Sequence, residues 1–349
     1  MSNKIRIIAA DDSALMRKRI SEILNSQPDF EVVAAVRNGK EALEAACMLK
    51  PDVITLDVEM PVLDGITALG YIMSEVPTPC VMISAFTTEG AEETIRALEM
   101  GAVDFVTKPG GAISPDIGKV GEQIIAKVRL AAGVPVEKIR LIMAKKAGEE
   151  EKILRKPKAI SRVFAIASST GGTQALATIL PAIRADLPAA VLITQHMPEG
   201  FTKSLAERLN WQSKITVIEA HNRMPIEPAK VIIARGGLHM EIGGDAGAPH
   251  VVLSSKPPQL GVRPSANIMM ETAAKMFGEK TVGIVLTGMG SDGTLGAQAI
   301  KLAGGVILAE DKSSCVVYGM PKSVVEAGLA DKVLPLGGIA EEMERMAAL

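Results

Sequence analysis

Short apolar runs alternate with amphipathic stretches along most of the chain. In the first third, residues 5–10, 53–56, 81–83 and 103–107 read as buried strands, while residues 14–25, 39–50, 65–75, 91–101 and 118–130 carry the longer period of helices. Such alternation predicts a doubly wound parallel sheet of the α/β class. The pattern breaks between residues 132 and 160. Gly133 and Pro135 interrupt it, residues 136–147 are patterned as an amphipathic helix, and residues 148–158 are charged and end in Lys-Pro-Lys, which reads as a linker. Beyond Ser161 the alternation returns, with strands at 163–167, 190–194 and 282–287, a Gly/Pro-rich section over 234–264 and a hairpin around 250–254. The expected organisation is two α/β domains, 1–131 and 161–349, joined by 132–160, the second with a mainly parallel sheet.

Composition narrows the functional classes. A chain of 349 residues exceeds one ordinary core and suits two domains. With 38 basic and 40 acidic residues and a pI near 6.2, it offers no broad cationic surface for nucleic acid. Aromatic residues are only 3%, so the cores must be aliphatic, with the 18 methionines as fillers. Three widely spaced cysteines, Cys47, Cys80 and Cys315, fit reduced thiols better than a disulfide frame. No signal-peptide pattern and no uncharged bilayer-length run is present, so the expectation is a cytoplasmic protein without membrane insertion.

The polar residues that follow the strands carry the chemistry, because the carboxyl ends of parallel strands line the ligand crevice of an open α/β sheet. In the first domain Asp11 and Asp12 follow one strand, Asp57 a second, Ser84 a third and Lys108 a fourth. Three carboxylates make an oxygen-rich cluster suited to Mg²⁺. Asp57 could then accept a phosphoryl group, with Lys108 and the Ser84 hydroxyl holding its oxygens. A lone Asp in such a place more often caps the next helix, but five positions agree in order and context. Asp11-Asp12-Ser13, Leu56-Asp57-Val58-Glu59-Met60-Pro61, Ser84-Ala85 and Lys108-Pro109 together resemble the signature of two-component response-regulator receiver domains. The resemblance implies a flavodoxin-like sheet, phosphorylation of Asp57 by a histidine kinase, Mg²⁺ held by Asp12 and Asp57 with help from Asp11, and Phe105 at the aromatic switch position.

In the second domain Ser169, His196 and Asp292 each follow an apolar run, an arrangement that fits a hydrolytic triad. Ser169-Thr170-Gly171-Gly172 reads equally as a catalytic turn or as glycine packing between strand and helix. The segment Thr287-Gly288-Met289-Gly290-Ser291-Asp292-Gly293 admits a rival, because Gly288, Gly290 and Gly293 spell G-x-G-x-x-G before a helix at 294–303, with Glu310 at the distance of a ribose-binding acid. Against a dinucleotide, Asp292 would set a negative charge beside the pyrophosphate. In the hydrolytic reading Asp292 orients His196, and the amide of Met289 supplies the oxyanion hole.

These motifs, with Arg263-Pro264-Ser265 and residues 314–321, closely resemble the catalytic domain of the chemotaxis protein-glutamate methylesterases over about residues 163–328. The resemblance implies Ser169 as nucleophile, His196 as base and Asp292 as orienting acid. It also implies hydrolysis of glutamyl γ-methyl esters on methyl-accepting chemoreceptors, often with deamidation of receptor glutamines, and no cofactor for the ester step. Ser168 adjoins the nucleophile, and the spacing to Thr-Gly-Gly selects Ser169. Arg235 and Asn267 depart from the family pattern, where Pro and Asp are usual; neither is expected to touch the triad, and His239 is read as structural. Two other classes remain open at this stage: a receiver fused to a nucleotide-binding module, and a catalytically idle adaptor.

Overall fold

The computed structural model describes residues 4–84, 87–108, 117–135, 159–245 and 247–348. The helix expected at 136–147 and most of the expected linker lie outside the described residues, as do Ala85 and Pro109. The chain divides into two compact units, Met1–Ala144 and Lys145–Leu349.

The first unit alternates β1 (Ile5–Ala10), α1 (Ala14–Asn25), β2 (Phe30–Val36), α2 (Gly39–Leu49), β3 (Val53–Asp57), α3 (Gly65–Glu75), β4 (Cys80–Ser84), α4 (Thr88–Glu99), β5 (Asp104–Thr107) and α5 (Ile117–Ala131). Its five strands are parallel in the order β2-β1-β3-β4-β5, the flavodoxin-like arrangement. The order of connection reverses between β1 and β3, so the tips of those two parallel strands bound the ligand crevice. Residues of β3 and β4 are buried throughout, as both faces of a parallel sheet covered by helices require. α4 starts at Thr88, three residues earlier than the periodicity of 91–101 predicts, because the Thr87 hydroxyl accepts the Gly90 amide at 2.9 Å and caps the helix.

The second unit contains β6 (Arg162–Ser168), α6 (Gly172–Ile179), β7 (Ala189–Gln195), α7 (Phe201–Gln212), β8 (Thr216–Glu219), β9 (Lys230–Ile233), β10 (His239–Gly243), β11 (His250–Ser254), α8 (Ala266–Phe277), β12 (Thr281–Val285), α9 (Thr294–Leu302), β13 (Val306–Glu310), α10 (Met320–Glu326), β14 (Lys332–Leu334) and α11 (Leu336–Ala347). Seven parallel strands run in the order β14-β13-β12-β6-β7-β9-β8. β10 and β11 form the separate antiparallel hairpin. His239 and His250 therefore lie on strands. Strand β6 is central, and the connection order reverses between it and β12. The crevice at that reversal is flanked by the residues that follow β6, β7 and β12.

The core is aliphatic. Met240, Met269, Met270 and Met320 are all fully buried with Val163, Ala165 and Ala167 of β6 and Ala190 and Leu192 of β7, and each large side chain so buried contributes roughly 1.5–3 kcal/mol. All three cysteines are free, Cys80 and Cys315 buried and Cys47 exposed. Among the described residues no helix is long and apolar enough to cross a membrane.

Candidate active site

In the second unit, Ser169 leaves the tip of β6 in a turn that is locked on three sides. Its amide donates to Thr287 O at 3.1 Å, and its carbonyl accepts from Gly172 N at 2.8 Å and from Gln195 Nε2 at 2.9 Å. Gly171 closes the turn at φ +77°, and a Cβ there would lie 2.6 Å from Val316 Cβ, so both conformation and space demand glycine. Ser168 is fully buried and gives its hydroxyl to Gln195 Oε1 at 2.7 Å, whereas Ser169 is partly exposed.

His196 follows β7, and its amide donates to Ser168 O at 3.0 Å. The ring sits 2.7 Å from Asp292, Nε2 against Oδ2. The same carboxylate accepts from Ala266 N at 2.6 Å, Ser265 Oγ at 2.8 Å and Asn267 N at 3.1 Å. Ala266 and Asn267 open α8, so Asp292 lies on the positive end of a helix. Burial, the largest single influence, pushes this carboxyl up, but the hydrogen bond and charge of His196 with the two helix amides outweigh it and hold it below the usual range. Asp292 is thus an anion, and as an acceptor it requires Nε2–H on the neutral ring. Nδ1 is then the unprotonated ring nitrogen, the one able to accept a proton. Among the described residues no hydrogen bond joins Ser169 Oγ to His196, although the two backbones are tied through Ser168 and Gln195. Such contacts commonly tighten only when substrate binds.

β12 ends at Val285, short of the predicted Thr287, because Thr287 N turns to Glu310 Oε2 at 2.8 Å and Gly288 N to Val317 O at 3.0 Å. The Gly288 backbone then abuts Ser169: a Cβ there would be 2.8 Å from Ser169 Cβ. With the Thr287 and Gly288 amides committed, Met289 offers the next N–H of the turn, on a residue that is half exposed. Glu310 is fully buried and also accepts the Ser314 hydroxyl at 2.9 Å, so it is walled off from any ribose. Asp292 is equally committed, and the dinucleotide reading of this turn fails on both acids.

One expectation is corrected. Asn267 does touch a residue of the expected triad: its amide donates to Asp292, and its Oδ1 accepts Gly293 N and Gly296 N, both at 2.9 Å, and caps α9. Arg235 instead pairs with Glu199 at 3.2 Å. His239 is fully buried, its Nδ1 accepting Ser265 N at 3.1 Å and its Nε2 donating to Pro257 O at 3.1 Å, a structural role that keeps Ser265 in place.

In the first unit, carboxylate oxygens of Asp11, Asp12 and Asp57 all lie within 4.8 Å of one another. Lys108 Nζ stands 2.7 Å from Asp57 Oδ2 and 3.1 Å from Asp11 Oδ2. The helices behind these strands are capped by Ser13 and Asp64, which removes the simple capping explanation for Asp12 and Asp57. Burial pushes Asp57 up to about 6; the Lys108 bond and charge oppose this, and the charges of Asp11 and Asp12 add to it. Crowded negative charge and an all-oxygen donor set fit a hard divalent ion such as Mg²⁺. The Ser84 hydroxyl bonds to Gly90 O at 3.0 Å, and Phe105 is buried with Lys127 5.1 Å over its ring.

A receiver-type unit followed by an α/β unit with a His–Asp pair beside a glycine-turn serine defines a class of two-domain hydrolases with a receiver at the front. Residues 7–113 match the response regulator receiver domain, and residues 164–343 match the CheB methylesterase domain. A protein-glutamate methylesterase/protein-glutamine glutaminase of Pyrococcus horikoshii is 47% identical over 98% of this chain and 93% of that relative, and one of Thermotoga maritima is 44% identical over 97% of each. The crystal structure of the Thermotoga maritima CheB methylesterase catalytic domain, 42% identical, superposes with a TM-score of 0.53 and covers 53% of this chain and 98% of its own. The chain belongs to this family of two-domain methylesterase enzymes.

Proposed function

We propose that the chain hydrolyses glutamyl γ-methyl esters of methyl-accepting chemoreceptors, and by the same acyl chemistry deamidates receptor glutamines, under control of phosphorylation at Asp57. Family membership supports the reaction class, and the His196–Asp292 bond beside the Ser169 turn is the observation that carries the residue assignment. Ser169 Oγ attacks the ester carbonyl while its proton passes to His196 Nδ1. The tetrahedral oxyanion takes a hydrogen bond from Met289 N, a donor that typically matters by ~10²–10³ in rate. Methoxide leaves with the proton from His196 as methanol, and the glutamyl group stays on Ser169. Water, deprotonated by the same nitrogen, then releases the receptor glutamate and returns the proton to Ser169. Asp292 keeps Nε2 protonated and balances the imidazolium throughout.

In the receiver, Asp12 and Asp57, with Asp11, would hold Mg²⁺, which would supply neutralising charge for phosphoryl transfer from a histidine kinase. Lys108 is already within reach of Asp57, and Ser84 would exchange its bond to Gly90 O for a phosphoryl oxygen. Phosphorylation replaces the Asp57 carboxylate by an acyl phosphate that carries roughly −1.5 to −2 charges. Near-complete switching between two activity states needs ~5.5 kcal/mol of differential stabilisation, so activation is partial. The test is methanol release from methylated receptor membranes with and without a small phosphodonor. Release that rises with the phosphodonor and vanishes in Ser169→Ala supports the reading; release unchanged in Ser169→Ala refutes it.

A further inference from the structure

Strand β7 ends in a glutamine whose side chain is only 2% exposed and lies between the Ser169 and His196 turns. Its amide makes three bonds: Nε2 donates to Ser169 O at 2.9 Å and His196 O at 3.3 Å, and Oε1 accepts the Ser168 hydroxyl at 2.7 Å. The orientation is dictated by chemistry, because two main-chain carbonyls can only accept and so must face the NH₂ group. Close packing holds it there, since a Cβ at Gly172 would lie 2.2 Å from Gln195 Oε1. Ser169 O already accepts from Gly172 N at 2.8 Å, so the glutamine is not needed to satisfy that carbonyl. What the second bond adds is orientation.

We propose that Gln195 is a positioning residue for ester hydrolysis, one buried carboxamide that holds the backbones of nucleophile and base on its two N–H bonds and so sets their spacing. The proposal rests on the roles assigned to Ser169 and His196. It touches no reacting atom, and its effect falls on the rate of the chemical step, where a misplacement of about 1 Å can cost ~10²-fold.

The test compares the full-length protein with Gln195→Met, which keeps the length but none of the bonds, and Ser168→Ala, which removes only the bond on the far side of the amide. Each is assayed well below its melting midpoint, for turnover on methylated receptor and for the rate at which a fluorophosphonate labels Ser169. Gln195→Met should lower kcat and the labelling rate at least ~10-fold with KM within about twofold, and Ser168→Ala should stay within about threefold of the parent. Equal losses in the two variants, or full labelling of folded Gln195→Met, overturn the proposal. Should Gln195→Met not fold, the side-chain NH₂ resonances of Gln195 in the unaltered protein decide: they should shift when Ser169 is phosphonylated, and unmoved resonances refute the link. Failure of the reagent to label Ser169 in the parent would instead remove the triad reading itself.

Discussion

Replacing Asp292 by asparagine removes one charge from a site with four donors, and the structure decides which way the amide must face. With its NH₂ toward Ala266 N and His196, two N–H donors would meet at 2.6 Å, and the ring would have to accept at Nε2, leaving Nδ1 protonated and useless as a base. With NH₂ toward Ser265 and Asn267, the hydroxyl can turn to accept and the only opposed donor is Asn267 N at 3.1 Å. Geometry favours the second orientation, which preserves the tautomer but loses the anion. Two unit charges at the 2.7 Å separation of the pair attract by about 6 kcal/mol at an effective dielectric of about 20. The retained neutral hydrogen bond and relaxation around it offset roughly half of this. The net loss of ~3–4 kcal/mol in the transition state corresponds to a ~10²–10³-fold fall in kcat, less than the ~10⁴ seen where such a change reverses the tautomer. Steady-state methanol release should show that fall with KM within about threefold. A kcat within threefold of the parent would refute the role of Asp292, and a ~10⁴-fold loss would refute the orientation argument.

Asp57→Asn should abolish stimulation by a small phosphodonor and leave basal methanol release within about twofold, and chelation of Mg²⁺ should do the same to the parent; retained stimulation in either contradicts the phosphoacceptor assignment. Because the folded pKa of Asp57 is raised from 3.8 to about 6, the native state binds a proton that the unfolded state has lost, so this residue's contribution to stability falls as pH rises through that window. Without Mg²⁺, Asp57→Asn should therefore stabilise the receiver by about 1–3 kcal/mol at pH 7.5 and far less at pH 4, read by thermal melts, and an equal shift at both pH values refutes the linkage. The depressed Asp292 carboxyl has the opposite sign: its contribution is present above about 3.8, the unfolded value, and is lost as pH falls through its folded value. Gly171→Ala meets both a left-handed backbone and Val316, and should destabilise the second unit by about 1–3 kcal/mol with a lower melting midpoint; an unchanged midpoint contradicts the packing described for this turn.

The strand-tip logic was legible because buried parallel strands are continuous apolar runs, and the first polar residue past each run is where the sheet meets its crevice. That placed Ser169, His196, Asp57 and Lys108 at strand ends, whereas Asp292 lies farther out, in the turn that follows the end of β12 at Val285. What holds those residues was less legible. The donors that keep Asp292 ionised come from Ser265, Ala266 and Asn267 at the start of α8, and nothing in their local pattern records that this helix points at the β12 turn. Asn267 was for that reason set apart from the triad, although it bonds Asp292 and caps α9. Glu310 carried a signal, an acid after an apolar strand, but its meaning reversed: it anchors the 287–293 turn from below. Thr87 shows the smaller failure, a cap that extends α4 past its apolar period.

The central claim is that Ser169 is the nucleophile of a serine ester hydrolase, and mapping the site of covalent capture tests it most directly. Full-length protein treated with a fluorophosphonate should carry a single adduct, located by peptide mass on Ser169, and methanol release should fall in proportion to its formation. An adduct on Ser168, or methanol release that persists with Ser169 fully modified, would contradict the account.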